Sequence, residues 1–543
     1  MTVTGGTDAR DARVGWSAAL RPTWVVPLAV GVAVALIVLN GAGVPSYWGD
    51  EAASVMSAQR TLPSMLRELS AVDAVHGIYY AVLHVWIGLF GSGEWATRTL
   101  SVMATGVFAA GLVVLGRRWA GQRTGVVAGL LVAVIPRSSA LAMEARGYAI
   151  TEALSVWLVI LFVVLRARRT SPSRWIGYGV LSGAASWFFL YLLLVPLALI
   201  ATVVISVAVR RRRGVAGEPV ADLIRAGITA AVVALPIITL AALQRHQVAF
   251  LGHRGYLSVT GVLVTPWFAA VTVAVVFWAL MAWGVVHGLR DRADRSWVPL
   301  ALAWLLVPAL VMITLHLLVS PTYDSRYLAI SLGAAALLAA RGITGLLGVL
   351  SAHRLALIGG AAALSVLVLG VTVPRYLHQR TPYAKDGGAD FRAVADTIAQ
   401  QAHPGDAVLF GQGPRPSRTA RLAYRLYPDS FGGLRDPQLV TAFDARAGLW
   451  DELAPVQDIA AGLRERTVWL IESKHAATAS ADLAALRRHG YSLITQQRLH
   501  RTMVYELVKE TPRDRAHAWA ALIGSRMPTS TPSRSGRSDG DPR

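Results

Sequence analysis

The chain has 543 residues, 54% of them hydrophobic and only 15% charged, with a formal net charge of +20. Soluble domains carry roughly a quarter charged residues, so this composition excludes an ordinary soluble enzyme and indicates a membrane protein. The absence of cysteine excludes disulfides, thiol catalysis and cysteine-ligated metals.

Residues 1–22 read as a cytoplasmic tail carrying Arg10, Arg13 and Arg21. The run from Trp24 to Val44 that follows is apolar for about the 20 residues that a bilayer-spanning helix requires. No small-residue cleavage site follows it, so it reads as a span and not a leader. No further basic residue occurs before Arg60, and the positive-inside rule then keeps the N-terminus in the cytoplasm. The acids of Ser46-Tyr47-Trp48-Gly49-Asp50-Glu51 therefore emerge on the far side. An isolated acid pair at a helix end is commonly just solvated. At a membrane exit, two carboxylates can also hold a divalent cation or take a proton from a hydroxyl.

The first outer loop, 44–96, is too long for a hairpin. Ala53 to Leu69 and Gly77 to Phe90 have helical spacing and are expected to lie in or near the interface. Further apolar runs near 97–116, 124–140, 148–165, 175–188, 191–209, 221–241, 262–284, 297–319, 327–340 and 355–373 bring the expected total to about eleven transmembrane helices within 23–373. Seventeen loop arginines then face the cytoplasm against seven outside, the expected asymmetry. Fusing the close pair at 175–209 would destroy it. The basic residues thus read as topology signals, the run Arg210 to Arg213 included, and no basic stripe interleaved with aromatics indicates nucleic acid.

After Val373 the sequence becomes water-soluble in character. Helices over Asp390–Ala402, Ser417–Leu426 and Ala481–His489 alternate with strands over Ala407–Phe410, Thr467–Ile471 and Tyr491–Leu507, the last broken near His500-Arg501. This predicts a small α/β domain over 374–510, which an odd span count places outside the cell. Residues 511–543, rich in Ser, Pro, Arg and Gly, are read as a disordered tail.

Ionisable residues gather at the expected outer span ends, where charge is costly and tends to be paired or functional. They are Asp50 and Glu51; Asp73 and His76 in Asp73-Ala74-Val75-His76-Gly77-Ile78-Tyr79-Tyr80; Arg98; Glu144, Arg146 and Tyr148 in Glu144-Ala145-Arg146-Gly147-Tyr148; and Asp324, Arg326 and Tyr327. Each has an ordinary alternative: His76 as an interfacial hydrogen-bonding residue, Arg98 and Arg326 snorkelling to headgroups, and Glu144 with Arg146 as a loop ion pair. Together, carboxylates and arginines on one face suit a lipid phosphate and a hydroxyl acceptor.

In the order of these segments the chain resembles the polyprenyl-phosphate-sugar-dependent glycosyltransferases of the GT-C superfamily. The nearest resemblance is to family 39, which includes protein O-mannosyltransferases, and to its actinobacterial subgroup. The residues that carry it are Trp48-Gly49-Asp50-Glu51, Asp73 to Tyr80, Arg98-Thr99-Leu100-Ser101, Glu144 to Ala149 and Ser325-Arg326-Tyr327-Leu328, over roughly residues 23–340. Many relatives have His-Pro-Pro-Leu where this chain has Val75-His76-Gly77-Ile78. The resemblance implies an all-α polytopic membrane fold with an extracytoplasmic α/β domain. It also implies inverting transfer of a hexosyl unit, mannose by analogy, from a polyprenyl phosphate to a hydroxyl of a glycan, glycolipid or protein at the outer face of the plasma membrane.

In that reading Asp50 is the base, and Glu51 and Glu144 are further catalytic acids. Asp73, His76, Arg98, Arg146, Tyr148, Arg326 and Tyr327 bind donor phosphate and substrate. A divalent cation, Mg or Mn, has Asp50 and Glu144 as its candidate ligands, and metal dependence stays open because a cationic site can do without one. A transporter or flippase would instead need mid-membrane charges and a repeat of broken helices. A non-catalytic envelope scaffold would make Asp50 and Glu144 dispensable.

Overall fold

The structure is a computed structural model and describes residues 24–168, 170–213, 220–253, 255–291, 294–411, 413, 415–474 and 479–510. The expected tails at 1–22 and 511–543 lie outside them. Two compact units divide the chain: one holds the membrane helices through Ala393 together with Thr441–Glu452, and the other holds Val394–Val440 and the chain from Leu453. Residues 374–393, assigned to the soluble domain on composition, thus cluster with the helices. The last membrane helix, Arg354–His378, runs unbroken past Pro374, and Arg380 just beyond it binds back to Asn40 O at 2.7 Å.

The protein is a multi-pass membrane protein. Among the described residues, eight helices are long and apolar enough to cross a bilayer: Glu94–Ala120, Tyr148–Arg168, Leu190–Arg212, Ala221–Leu243, Val271–Arg290, Val298–Leu318, Ser325–Val349 and Arg354–His378. A ninth forms if Gln122–Val134 and Pro136–Ala142, bent by 65°, count as one span. The bend falls at Ile135, whose ψ of 115° is extended, as the ring of a following proline requires. Val25–Leu39 and Pro172–Ala185 account for the other two of the eleven expected segments, with only 15 and 14 helical residues. The expected span 262–284 is also interrupted. A short turn over Val259–Leu263 ends before Pro266, Ala269 takes a positive φ of 57°, and the helix begins afresh at Val271.

Val25–Leu39 crosses Glu94–Ala120 at a glycine pair. A Cβ on Gly31 would lie 2.7 Å from Gly106 O, and one on Gly106 would lie 2.8 Å from Gly31 O, so neither position admits a side chain. This close crossing delivers the loop Val44–Trp48 next to Arg98. The expected helix Ala53–Leu69 is broken into α1, Gly49–Gln59, and α2, Leu62–Ala71: Arg60 and Thr61 are both extended, and Pro63 sits in the first turn of α2, where its missing N–H costs no helical bond. The next helix, α3, spans Gly77–Phe90 as expected.

In the second unit, strands β1 Ala407–Phe410, β2 Thr467–Ser473, β3 Tyr491–Arg498 and β4 Thr502–Lys509 form a sheet of order β1-β2-β4-β3. β1 and β2 are parallel, the other pairings are antiparallel, and β3–β4 is the hairpin expected around His500-Arg501. Fully buried Leu409, Leu470 and Leu507 form its core. Burial, reinforced by the neighbouring Asp482, pushes the Glu472 carboxyl in β2 up to about 9. The folded form therefore favours the protonated acid, and its contribution to stability declines as pH rises from about 4.5 towards 9. Glu472→Gln is expected to slow hydrogen exchange of 467–473 at pH 8 and to change it little at pH 5.

Candidate active site

The two adjacent acids have opposite surroundings. At 3.6 residues per turn they point roughly 100° apart, and both lie in the first turn of α1, where negative charge complements the helix dipole. Glu51 is fully enclosed. Arg98 Nε and Nη2 each donate to it at 2.8 Å, Lys385 Nζ at 3.0 Å and the Ala145 backbone N–H at 2.8 Å. Burial pushes its carboxyl up, but Arg98 and Lys385 outweigh that and hold it at about 2. Glu51, expected as a catalytic acid, thus has no exposed surface and is held as an ion-pair partner of Arg98 and Lys385.

Arg98, expected at the donor phosphate, is likewise 0% exposed. Its remaining donors bind Ala42 O at 2.8 Å, Pro45 O at 2.7 Å and Ser46 O at 3.3 Å, which wraps the loop ahead of α1 around the guanidinium. Tyr47 fixes the same loop through Ser92 O at 2.8 Å and Thr97 Oγ1 at 2.6 Å.

Asp50 keeps 29% of its side-chain surface and meets Arg326 Nη1 at 2.7 Å. Arg326 lies in the first turn of the 3₁₀ segment Ser325–Ser331, which is pinned by a 2.7 Å bond from the buried Trp304 indole to Ile330 O. Its other side is held by Asp324 at 3.1 Å, and Trp48 lies under it at 5.1 Å. The charge of Arg326 lowers the Asp324 carboxyl in spite of burial.

A second guanidinium converges on the same place. Arg146 donates to Asp50 O at 3.3 Å, to Ser54 Oγ at 3.1 Å and to His76 Nε2 at 3.1 Å. Only 7% exposed, it makes no ion pair among the described residues. The Tyr148 ring lies 5.8 Å from Arg146 and 5.7 Å from Arg326, so two like charges adjoin one aromatic ring. Because His76 Nε2 accepts a hydrogen bond, the imidazole is neutral with its proton on Nδ1. Burial, then Arg146 and Arg326, hold its pKa well below the usual histidine range.

The remaining expected residues surround this centre. Asp73, in a left-handed backbone conformation at φ 58°, accepts from Tyr80 Oη at 2.8 Å, and burial raises its pKa. Glu144 has a buried Oε2 with no hydrogen-bond partner among the described residues. Burial raises its carboxyl against the opposing charges of Lys385 and Arg326. Tyr327 packs against Phe189 at 5.4 Å, Tyr191 at 5.5 Å and Tyr148 at 6.4 Å, an aromatic wall beside the two arginines.

The donor set does not fit the divalent cation proposed for Asp50 and Glu144. Among the described residues no group of three or more His, Cys, Asp or Glu gathers as a metal site, and a guanidinium already lies on Asp50 Oδ2.

Sequence reasoning missed Lys385. Its ammonium binds Glu51 and Met143 O, and burial, then the Arg98 charge, lowers it to about 8. A signal existed: the chain has three lysines against 49 arginines, and Lys385 is the first of them. It was overlooked because it lies past the last apolar run. Phe189 was missed because it fell between the apolar runs 175–188 and 191–209, and Tyr191 because it opened the second of them.

Residues 78–239 match the family model described as dolichyl-phosphate-mannose-protein mannosyltransferase. The fold is similar to that of ArnT from Cupriavidus metallidurans bound to undecaprenyl phosphate, at 15% identity and a TM-score of 0.54 over 89% of this chain and 97% of that one. The same protein in the apo state matches at 15% identity and a TM-score of 0.51, over 91% of this chain and 98% of that one. No curated protein matches the sequence. The architecture is GT-C-like, and residues 78–239 are similar in sequence to the protein mannosyltransferase family.

Proposed function

With the GT-C fold as the premise, we propose that this chain is an inverting glycosyltransferase. It moves a hexosyl unit, mannose in our reading, from a polyprenyl phosphate to a hydroxyl acceptor at the outer face of the membrane. The observation that carries this is the convergence of Arg146 and Arg326 on the Tyr148 ring and on the partly exposed Asp50. A buried guanidinium without a carboxylate partner is a costly arrangement that an anionic ligand would relieve. The family model's description and the lipid phosphate named with the ArnT structure support a phosphate-linked donor.

In the reaction the acceptor O–H gives its proton to Asp50 as its oxygen forms a bond to the anomeric carbon. The bond from that carbon to the phosphate oxygen breaks, and polyprenyl phosphate leaves with the electron pair. A single displacement inverts the anomeric centre. Arg146 and Arg326 stabilise the charge that builds on the departing phosphate, where preorganised donors act most strongly. His76, kept neutral, accepts from Arg146 and aims it. Glu144 positions the acceptor, and Tyr148 and Tyr327 line the site beside the sugar. Arg98, Glu51 and Lys385 act from behind, fixing the direction in which α1 presents Asp50.

Arg146→Gln is expected to lower donor kcat/KM by about 10–10²-fold, the equivalent of a charge-assisted bond of roughly 1.5–3 kcal/mol. The acceptor KM should not change. Steady-state kinetics with a labelled polyprenyl-phosphate sugar measure both, and an unchanged donor kcat/KM would remove Arg146 from the phosphate site. Arg326 is the less clean test, because it also holds Asp50.

Topology is open to a labelling test, since the chain has no native cysteine. Ile494→Cys replaces a side chain 57% exposed on β3. In intact cells it should react with a membrane-impermeant maleimide. Labelling only after lysis would place the α/β unit on the inner side.

A further inference from the structure

A second polar site lies at the far end of the helices. Tyr148 and Arg166 occupy one helix, and 18 residues at 1.5 Å each put Arg166 about 27 Å along the axis from the Tyr148 side of the active site. There a cavity of about 170 Å³ is lined by Arg166, Arg210 and Arg295, with Thr202, Ser206 and Ser296 among them. Buried Val203, Val207 and Leu300 give it an apolar floor. The acids beside Arg295 in the chain are engaged elsewhere: Arg341 binds Asp294 at 2.5 Å and Asp291 at 3.3 Å. The hydroxyls of Thr202 and Ser206 donate back along their own helix, to Ala198 O and Thr202 O at 2.7 Å each. Arg166, Arg210 and Arg295 are the charged residues among those that line the cavity. Arg295 belongs to the segment that leads into the helix Val298–Leu318, whose N-terminus adds positive potential.

We propose that this cavity binds a phosphate group, carried by the headgroup of an anionic phospholipid in the leaflet opposite the active site. Guanidinium clusters are suited to phosphate because their planar forks match its oxygens. The volume is well below the roughly 300–1,000 Å³ of pockets that enclose a drug-sized ligand, so it takes a headgroup and not a nucleotide sugar. Beside it, Ile205 and Val209 on the same helix are exposed, an apolar face along which acyl chains can lie. Arg211, Arg212 and Arg213 continue the basic run without lining the cavity. A purely topological role would treat them and Arg210 alike, and the cavity distinguishes them.

The test is native mass spectrometry of the delipidated full chain titrated with phosphatidylglycerol, with phosphatidylcholine as the zwitterionic control and inorganic phosphate as a competitor. Replacing Arg166, Arg210 and Arg295 with Gln should weaken phosphatidylglycerol binding at least about tenfold. Replacing Arg211, Arg212 and Arg213 with Gln removes equal charge and should not. Ser206→Leu, which fills the cavity without changing charge, should weaken binding as the first triple variant does, so that misfolding of that variant alone cannot decide the matter. Displacement by inorganic phosphate would assign recognition to the phosphate group itself; failure to displace would assign it to the whole lipid. Equal loss in both triple variants, or unchanged binding in Ser206→Leu, would overturn the site.

Discussion

Asp50→Asn is expected to cut sugar transfer by about 10²–10⁴-fold, the usual cost of losing a general base, while the membrane fold survives. The amide has nearly the shape of the carboxylate, and Asp50 is partly exposed, so little packing depends on it. Arg326 stays in place because Asp324 holds its other side at 3.1 Å. The phosphate-binding charge is therefore kept, and the change removes the proton acceptor. Donor binding, measured by quenching with a non-transferable polyprenyl phosphate, should be preserved. A folded Asp50→Asn protein that transfers sugar at the wild-type rate would reduce Asp50 to an ion-pair partner.

Glu51→Gln should behave in the opposite way. Its carboxylate neutralises Arg98 and Lys385 where none of the three is well hydrated, and removing one partner of a buried ion pair costs about 3–5 kcal/mol. The expected result is a large fall in thermal stability, with loss of activity only as a consequence of unfolding. Arg98→Ala should act similarly, since it strands Glu51 and frees the loop Ala42–Ser46. The pH dependence has a defined sign. A carboxyl held at about 2 contributes stability that is fully present above about 4.5 and lost as pH falls towards 2. Glu51→Gln should flatten that limb. If instead it kept the wild-type melting temperature and lost turnover, Glu51 would belong to the chemistry.

The contrast between these neighbours explains what the sequence could and could not disclose. The membrane helices were legible because apolar length alone marks a span, and the strands Ala407–Phe410 and Thr467–Ser473 because they are short apolar runs bounded by turns. The breaks at Ile135 and before Val271 were written in Pro136 and Pro266, but a hydropathy reading averages over single prolines. Asp50 and Glu51 look alike in sequence; only the rotation of α1 against Arg98 and Arg326 separates a partly exposed acid from an enclosed one. That rotation is set by contacts 47 and 276 residues away along the chain, beyond any local pattern. Arg146 and Arg326 were singled out from their positions at span ends, while their meeting over Tyr148 required the tertiary structure.

The central claim is transfer of a sugar from a lipid phosphate. The direct measurement incubates the purified protein in nanodiscs with polyprenyl-phosphate mannose labelled in the sugar, with a panel of hydroxyl acceptors, and follows both products. The account predicts label in an acceptor with inverted anomeric configuration, equimolar release of polyprenyl phosphate, and loss of both in Asp50→Asn. Retained configuration, or release of the lipid phosphate at the same rate from the Asp50→Asn protein, would contradict it.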